Sequence, residues 1–169
     1  NRMRVLVTGG AGFLGSHMSD FLLARGFDVI AVDNFYTGSK INIEHLEIEA
    51  KFELIRHDIT FPLYLECDLI MNFACPASPV HYQRNPSQTM KTNVHGAINM
   101  LGLAKRLHIP IFQASTSEVY GTAQIIPIDE MHPLQAQSPY SATKISADQL
   151  AYSYFSSFNL PVVTVRPFN

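Results

Sequence analysis

Eleven residues near the start of the chain limit its fold more than any others. Val5-Leu6-Val7-Thr8 is a short apolar run rich in β-branched side chains, and it passes directly into Gly9-Gly10-Ala11-Gly12-Phe13-Leu14-Gly15. Apolar residues at 13, 14, 18, 21, 22 and 24 then follow a helical period, which Gly26 stops. A strand that turns into a helix over G-x-x-G-x-x-G opens a βαβ unit. Gly9 permits the sharp turn, Gly12 lets the backbone approach a pyrophosphate, and Gly15 lets helix and strand pack closely. The first helical turn, with the backbone of Phe13 and Leu14, aims unpaired N–H donors and the positive end of a helix dipole at the same point. The competing reading is a glycine-rich turn that binds nothing.

The rest of the chain repeats this alternation. Short apolar runs at residues 3–8, 28–32, 52–57, 68–73, 109–114 and 162–166 predict six strands separated by helical segments. In a helix over residues 88–107, Met90, Val94, Ala97, Ile98 and Leu101 share one face, and Met100, Leu103 and Leu107 another. Ser138 and Pro139 supply an N-cap and a first helical residue. Ile145, Ala147, Leu150, Ala151, Tyr154, Phe155 and Phe158 then recur at helical spacing up to Asn159. Residues 121–137 contain Pro127 and Pro133 and no sustained period, so they read as one long loop, a length that is usually functional. The expected fold is α/β, a doubly wound, mostly parallel sheet of the Rossmann type, with residues 1–169 as one dinucleotide-binding domain.

Composition narrows the partners. The 169 residues are 47% hydrophobic and 15% charged, which suits one compact domain without disulfides or a structural metal. Twelve Lys and Arg against 14 Asp and Glu leave no basic footprint, which argues against nucleic acid or an anionic membrane as the main partner. No apolar run has the length of a membrane span, and Asn1-Arg2-Met3-Arg4 leads straight into the first strand. A soluble, cytoplasmic protein is expected. Cys67 and Cys75 read as reduced, buried, small apolar residues. Seven histidines without ligand-like pairing predict no metal site.

Asp33 closes the second strand, 18 residues after Gly15. A carboxylate there accepts hydrogen bonds from both hydroxyls of an adenosine ribose and repels a 2′-phosphate. Asn34 and Phe35 follow it in place of an arginine, which favours NAD over NADP; an ordinary strand-end turn residue is the alternative. Asp58 and Ile59, after the third strand, are candidates to frame the adenine. Ser115-Thr116-Ser117-Glu118 follow the fifth strand, and Tyr140 and Lys144 lie at i and i+4 on one helical face. The expectation is that the Lys144 ammonium lowers the Tyr140 pKa toward neutrality, so that a tyrosinate can take the proton of a substrate hydroxyl as hydride leaves.

Together, residues 9–15, Asp33, Thr116 to Glu118, the Tyr140 and Lys144 pair and Arg166-Pro167-Phe168-Asn169 resemble the extended short-chain dehydrogenase/reductases of the NAD-dependent epimerase/dehydratase family, which modify nucleotide sugars. That resemblance implies that Thr116 hydrogen-bonds the sugar 4-hydroxyl, Tyr140 is the base, and Lys144 also holds the nicotinamide ribose. It further implies that Ser117 and Glu118 handle ring protons, that Ala74 lies beside the cofactor, and that Pro79 and Asn169 touch the substrate. Residues 3–120, through Phe52-Glu53-Leu54-Ile55-Arg56-His57-Asp58 and Ala74-Cys75-Pro76-Ala77-Ser78-Pro79, resemble the UDP-glucuronate decarboxylase (UDP-xylose synthase) branch. Residues 121–169, through Gln137-Ser138-Pro139-Tyr140-Ser141-Ala142-Thr143-Lys144, are more similar to nucleotide-sugar 4,6-dehydratases. Ser117 stands where dTDP-glucose dehydratases carry an aspartic acid that protonates the departing 6-hydroxyl, and a serine is a poor acid for that task.

The reading that follows is decarboxylation of a UDP-sugar, UDP-glucuronate, through a 4-keto intermediate with bound NAD. A 4,6-dehydratase or 4-epimerase is the alternative, and a non-catalytic NAD-binding sensor or scaffold is a rival of another class. In the family a C-terminal arginine meets the substrate carboxylate; Arg84 and Arg56 are the candidates within this sequence. The resemblance also leads us to expect an N-terminal fragment lacking most of the substrate-binding region. It implies a homodimer in which helices 88–107 and 139–158 pair with their copies.

Overall fold

The computed structural model describes residues 2–75 and 79–168, apart from the side chains of Pro79 and His81. Six strands, β1 (Arg4–Thr8), β2 (Asp28–Asp33), β3 (Phe52–Arg56), β4 (Leu69–Asn72), β5 (Ile111–Ala114) and β6 (Val162–Val165), form one parallel sheet in the order β3-β2-β1-β4-β5-β6. Each lies within two residues of its predicted bounds. The helices are α1 (Phe13–Ala24), α2 (Pro79–Arg84), α3 (Pro86–Leu107) and α4 (Pro139–Phe158).

Burial explains why the strands read as unbroken apolar runs. Val5, Leu6 and Val7 of β1 are each 0% exposed, because helices cover both faces of the sheet. Leu6 packs on one side with Ile70, Ile111, Met100 and Leu101 of α3, and Ala151 of α4. Val5 and Val7 pack on the other with Leu22 of α1.

Local signals set the helix ends. Asn85 caps α3 by accepting from Gln88 N at 3.1 Å, and Pro86 starts the helix two residues earlier than the periodicity predicts. Ser138 and Ser141 form a reciprocal capping box on α4, and Asn159 ends it in the left-handed region. The short α2 carries no periodic signal long enough to read from sequence.

No helix or strand interrupts residues 121–137, which follow the 3₁₀ turn Ser117–Tyr120. The loop is tied down by Gln135 N donating to the Val119 carbonyl at 2.8 Å and by Gln124 N donating to His132 Nε2 at 3.0 Å. Among the described residues no helix is long and apolar enough to cross a membrane.

Strand order reverses between β1 and β4. The chain leaves β1 toward β2 and leaves β4 toward β5, so the connections after these neighbours diverge and open a crevice at the carboxyl edge of the sheet. Every predicted site residue that is described lies on this edge or on the helices beside it.

Candidate active site

The turn after β1 is built by exclusion of side chains. Gly9 has φ +66°, and a Cβ on it would lie 2.9 Å from the Phe73 carbonyl carbon and oxygen. Gly15 is buried behind the turn, where a Cβ would meet the Gly9 oxygen at 2.1 Å. Its small size therefore serves the contact between helix and turn, rather than the helix–strand packing expected from sequence. Gly12 is the N-cap of α1; no side chain caps the helix and no acidic residue sits in its first turn. The N–H groups around Phe13 and Leu14 thus keep donor capacity for an anion.

Gly9, Gly12, Asp33, Asn34, Asp58, Ile59 and Ala74, all predicted cofactor residues, line one cleft. Asp33 is held in place by its own surroundings: one carboxylate oxygen accepts from Ala11 N at 2.9 Å and the other from Phe35 N at 2.7 Å. Each oxygen retains a further lone pair for a ligand hydroxyl. Asp58 accepts from Thr60 N at 2.9 Å, and the Ile59 carbonyl is fixed by Asn99 of α3 at 2.7 Å.

Beneath the cleft a buried polar chain crosses the sheet. Thr8 Oγ1 donates to Asn72 Oδ1, and Asn72 Nδ2 donates to Gln113 Oε1 at 2.9 Å. Thr8 Oγ1 also accepts from the backbone N–H groups of Phe73 and Ala74 at 3.1 and 3.2 Å, which sets the path of the chain past the cofactor cradle. Sequence reading missed all three side chains, because each looks like an isolated polar residue at the end of an apolar run.

Tyr140 and Lys144 are both buried on one face of α4, as their spacing predicts. Their electrostatics differ from expectation. Burial above all, then Cys75 and Glu118, push the Tyr140 phenol up, not down. Lys144 Nζ donates to the Ala114 carbonyl at 3.0 Å, so the ammonium is anchored to the end of β5. The Tyr140 ring stacks on Tyr82 of α2, with centroids 4.5 Å apart and planes 12° from parallel. Thr116 Oγ1 accepts from Glu118 N at 3.2 Å, Ser117 N donates to the Pro167 carbonyl at 3.2 Å, and Glu118 is exposed, its charge raising both Tyr82 and Tyr140.

Cys75 corrects a second expectation. It is half-buried, lines the cleft, and its thiol interacts with Asn93, Tyr140 and Lys144, so it joins the cofactor cleft to the tyrosine. Cys67 does behave as a small core residue, with burial pushing its thiol up to about 12. Arg56 does not suit a substrate carboxylate near Tyr140: it ends β3, four positions from β5, with its guanidinium 5.3 Å from the Phe35 ring centre. Arg84 is exposed on α2. Asn169 and the Pro79 side chain lie outside the described residues, as do Pro76, Ala77 and Ser78.

Fold and site together are those of an extended short-chain dehydrogenase/reductase. The chain belongs to the family described as GDP-mannose 4,6 dehydratase, whose model matches residues 6–169. It is 49% identical over 173 residues to UDP-glucuronic acid decarboxylase 1 of Arabidopsis thaliana, covering 99% of this chain and 40% of that one. Among solved structures it resembles a UDP-N-acetylglucosamine 4-epimerase from Methanobrevibacter ruminantium in complex with UDP-N-acetylmuramic acid (TM-score 0.91, 27% identity, 100% of this chain and 56% of that one). It also resembles a dTDP-glucose 4,6-dehydratase from Bacillus anthracis in complex with NAD (TM-score 0.85, 32% identity, 97% and 54%). The chain spans between 39% and 51% of the length of the curated relatives it matches.

Proposed function

We propose that residues 1–169 are the NAD-binding domain of an enzyme that converts UDP-glucuronate to UDP-xylose through a 4-keto intermediate. The observation that carries this reading is the continuity of one cleft: Cys75 lines it beside Gly9, Gly12 and Asp33, and its thiol also meets Tyr140 and Lys144. That arrangement suits oxidation of a hydroxyl next to a dinucleotide. The decarboxylase branch is supported by 49% identity along 99% of the chain; Ser117 speaks only against the dTDP-glucose type of dehydratase, since GDP-mannose dehydratases also carry Thr-Ser-Glu.

The residues present fit a dinucleotide. The uncapped first turn of α1, with Gly12, Phe13, Leu14 and Gly15, receives the diphosphate, and Asp33 accepts the adenosine ribose hydroxyls. Asn34, Asp58 and Ile59 frame the base; Ala74, Tyr140 and Lys144 face the other end. NAD held by these residues would supply the acceptor for the hydride from C4 and the donor that returns it.

Thr116 orients the sugar 4-hydroxyl, and Tyr140, ionised with the help of Lys144, takes its proton. The 4-ketone turns the carboxyl into that of a β-keto acid, which loses CO2 and leaves an enolate. Glu118, with Ser117, delivers a proton to C5, and Tyr140 returns its own proton to the oxygen on C4 as the ketone is reduced. Pro79 and Asn169 contribute to the substrate pocket. The functional unit is a homodimer through α3 and α4.

Full-length protein incubated with UDP-glucuronate is expected to release CO2 and UDP-xylose without net consumption of NAD. Tyr140→Phe lowers kcat by about 10²- to 10⁴-fold and leaves NAD bound. Formation of a 4-keto-6-deoxy sugar from UDP-glucose or UDP-N-acetylglucosamine would replace this reading with the dehydratase one. NAD binding without conversion of any of the three would favour the sensor.

A further inference from the structure

We propose that Asp148 is a positioning residue for the reaction: its carboxylate clamps the Thr116–Glu118 edge to α4 and balances the Lys144 ammonium one helical turn away. The role in turnover rests on the function proposed above; the clamp itself does not.

Tyr140, Lys144 and Asp148 follow one another at i+4 on α4 and are 6%, 5% and 4% exposed. Asp148 Oδ2 accepts from Ser115 Oγ at 2.8 Å and from Arg166 Nε at 3.0 Å. Arg166 Nη1 reaches on to Tyr120 Oη at 3.0 Å. Ser115 sits between Ala114, whose carbonyl receives Lys144, and Thr116. Its own N–H donates to the Val165 carbonyl at 2.7 Å. Residues 114–120 are thus held by α4 through two side chains, by the end of β6 through the main chain, and by Arg166 at their far end.

The remaining oxygen supplies the functional argument. Asp148 Oδ1 is buried and has no hydrogen-bond partner among the described residues. A tie with only structural duty is made as well by a neutral amide or a shorter polar group, and a buried, half-satisfied carboxylate is costly. Burial pushes the Asp148 carboxyl up, against the hydrogen bonds from Ser115 and Arg166 and the charges of Arg166 and Lys144 that favour its anion; what a carboxylate adds over an amide is negative charge set against those two cations. Asp148 therefore sets a negative charge one helical turn from the Lys144 ammonium, which is anchored at the end of β5.

The test uses the full-length enzyme with Asp148→Asn, which keeps the shape and removes the charge, and Ser115→Ala, which keeps the charge and removes one bond. Calorimetric NAD affinity within about threefold of wild type, set by the distant Asp33 cradle, shows an intact fold. Hydrogen exchange in the peptide 114–120 is expected to quicken about tenfold in Ser115→Ala, which loses a tie, and to stay near wild type in Asp148→Asn, whose amide oxygen still accepts. The pH–rate profile is expected to move about one unit toward acid in Asp148→Asn alone, because loss of a nearby anion eases deprotonation of the Tyr140 phenol. In that variant kcat falls at least tenfold, with KM for the nucleotide sugar nearly unchanged.

Unchanged exchange in Ser115→Ala overturns the clamp. Faster exchange in Ser115→Ala with an unmoved profile in Asp148→Asn leaves Asp148 merely structural and overturns its part in the reaction. If a sugar other than UDP-glucuronate proves to be the substrate, the functional reading fails and the profile is read with that sugar. If none is turned over, exchange decides.

Discussion

Tyr140 owes its position to packing, and the reactivity proposed for it must come from charge. Stacking on Tyr82 and burial fix the ring, and the same burial opposes ionisation. Sequence spacing gave the shared helical face but not the opposing environment, since Tyr82 and Glu118 come from elements 58 and 22 residues upstream. Gly15 carries a sharper consequence. Gly15→Ala would drive a methyl group into the Gly9 carbonyl at 2.1 Å, so the turn must shift. NAD affinity is expected to fall at least tenfold, about 1.4 kcal/mol by calorimetry. Cys67 adds a pH dependence. Its thiol is raised from 9.0 to about 12 in the folded chain, so the neutral form stabilises the fold fully below pH 9, and that contribution is lost as pH rises toward 12. Melting temperatures measured from pH 8 to 11 should decline less steeply in Cys67→Ala than in wild type.

At the scale of elements, strands and long helices were legible because their signals are local or one-dimensional. Strands buried on both faces appear as apolar runs, and Ser138-Pro139 announces α4 through capping chemistry alone. The ends of α3 were less legible, and α2 not at all, since six residues hold less than two turns of pattern. The chain Thr8, Asn72 and Gln113 was hidden for a different reason. It joins β1, β4 and β5, and only sheet order brings these residues together. Removing its centre should therefore cost more than one ordinary polar contact. Asn72→Ala leaves Thr8 and Gln113 without their buried partner, and a loss of about 2 to 3 kcal/mol is expected by urea unfolding. Asn72→Asp, which keeps an acceptor for Thr8 but loses the donor to Gln113, is no remedy.

For the whole molecule, α3 and α4 lie against each other on one face of the sheet and still leave Met90, Ile98, Tyr152 and Phe155 between 41% and 65% exposed. The apolar residues that sequence placed on two faces of α3 are thus divided between core and surface. A second copy covering this face predicts that Ile98→Glu with Tyr152→Glu converts a dimer to a monomer in sedimentation velocity, with NAD binding retained. The order of the sheet has one more consequence. β1 lies between β2 and β4, and its partner Asn72 is 64 residues along the chain from Thr8. The crevice between their ends cannot exist until that distant pairing has formed, so a dinucleotide finds nothing to grip on a partly assembled chain. It acts as a latch on the finished molecule, slowing departure from the native state without hastening arrival.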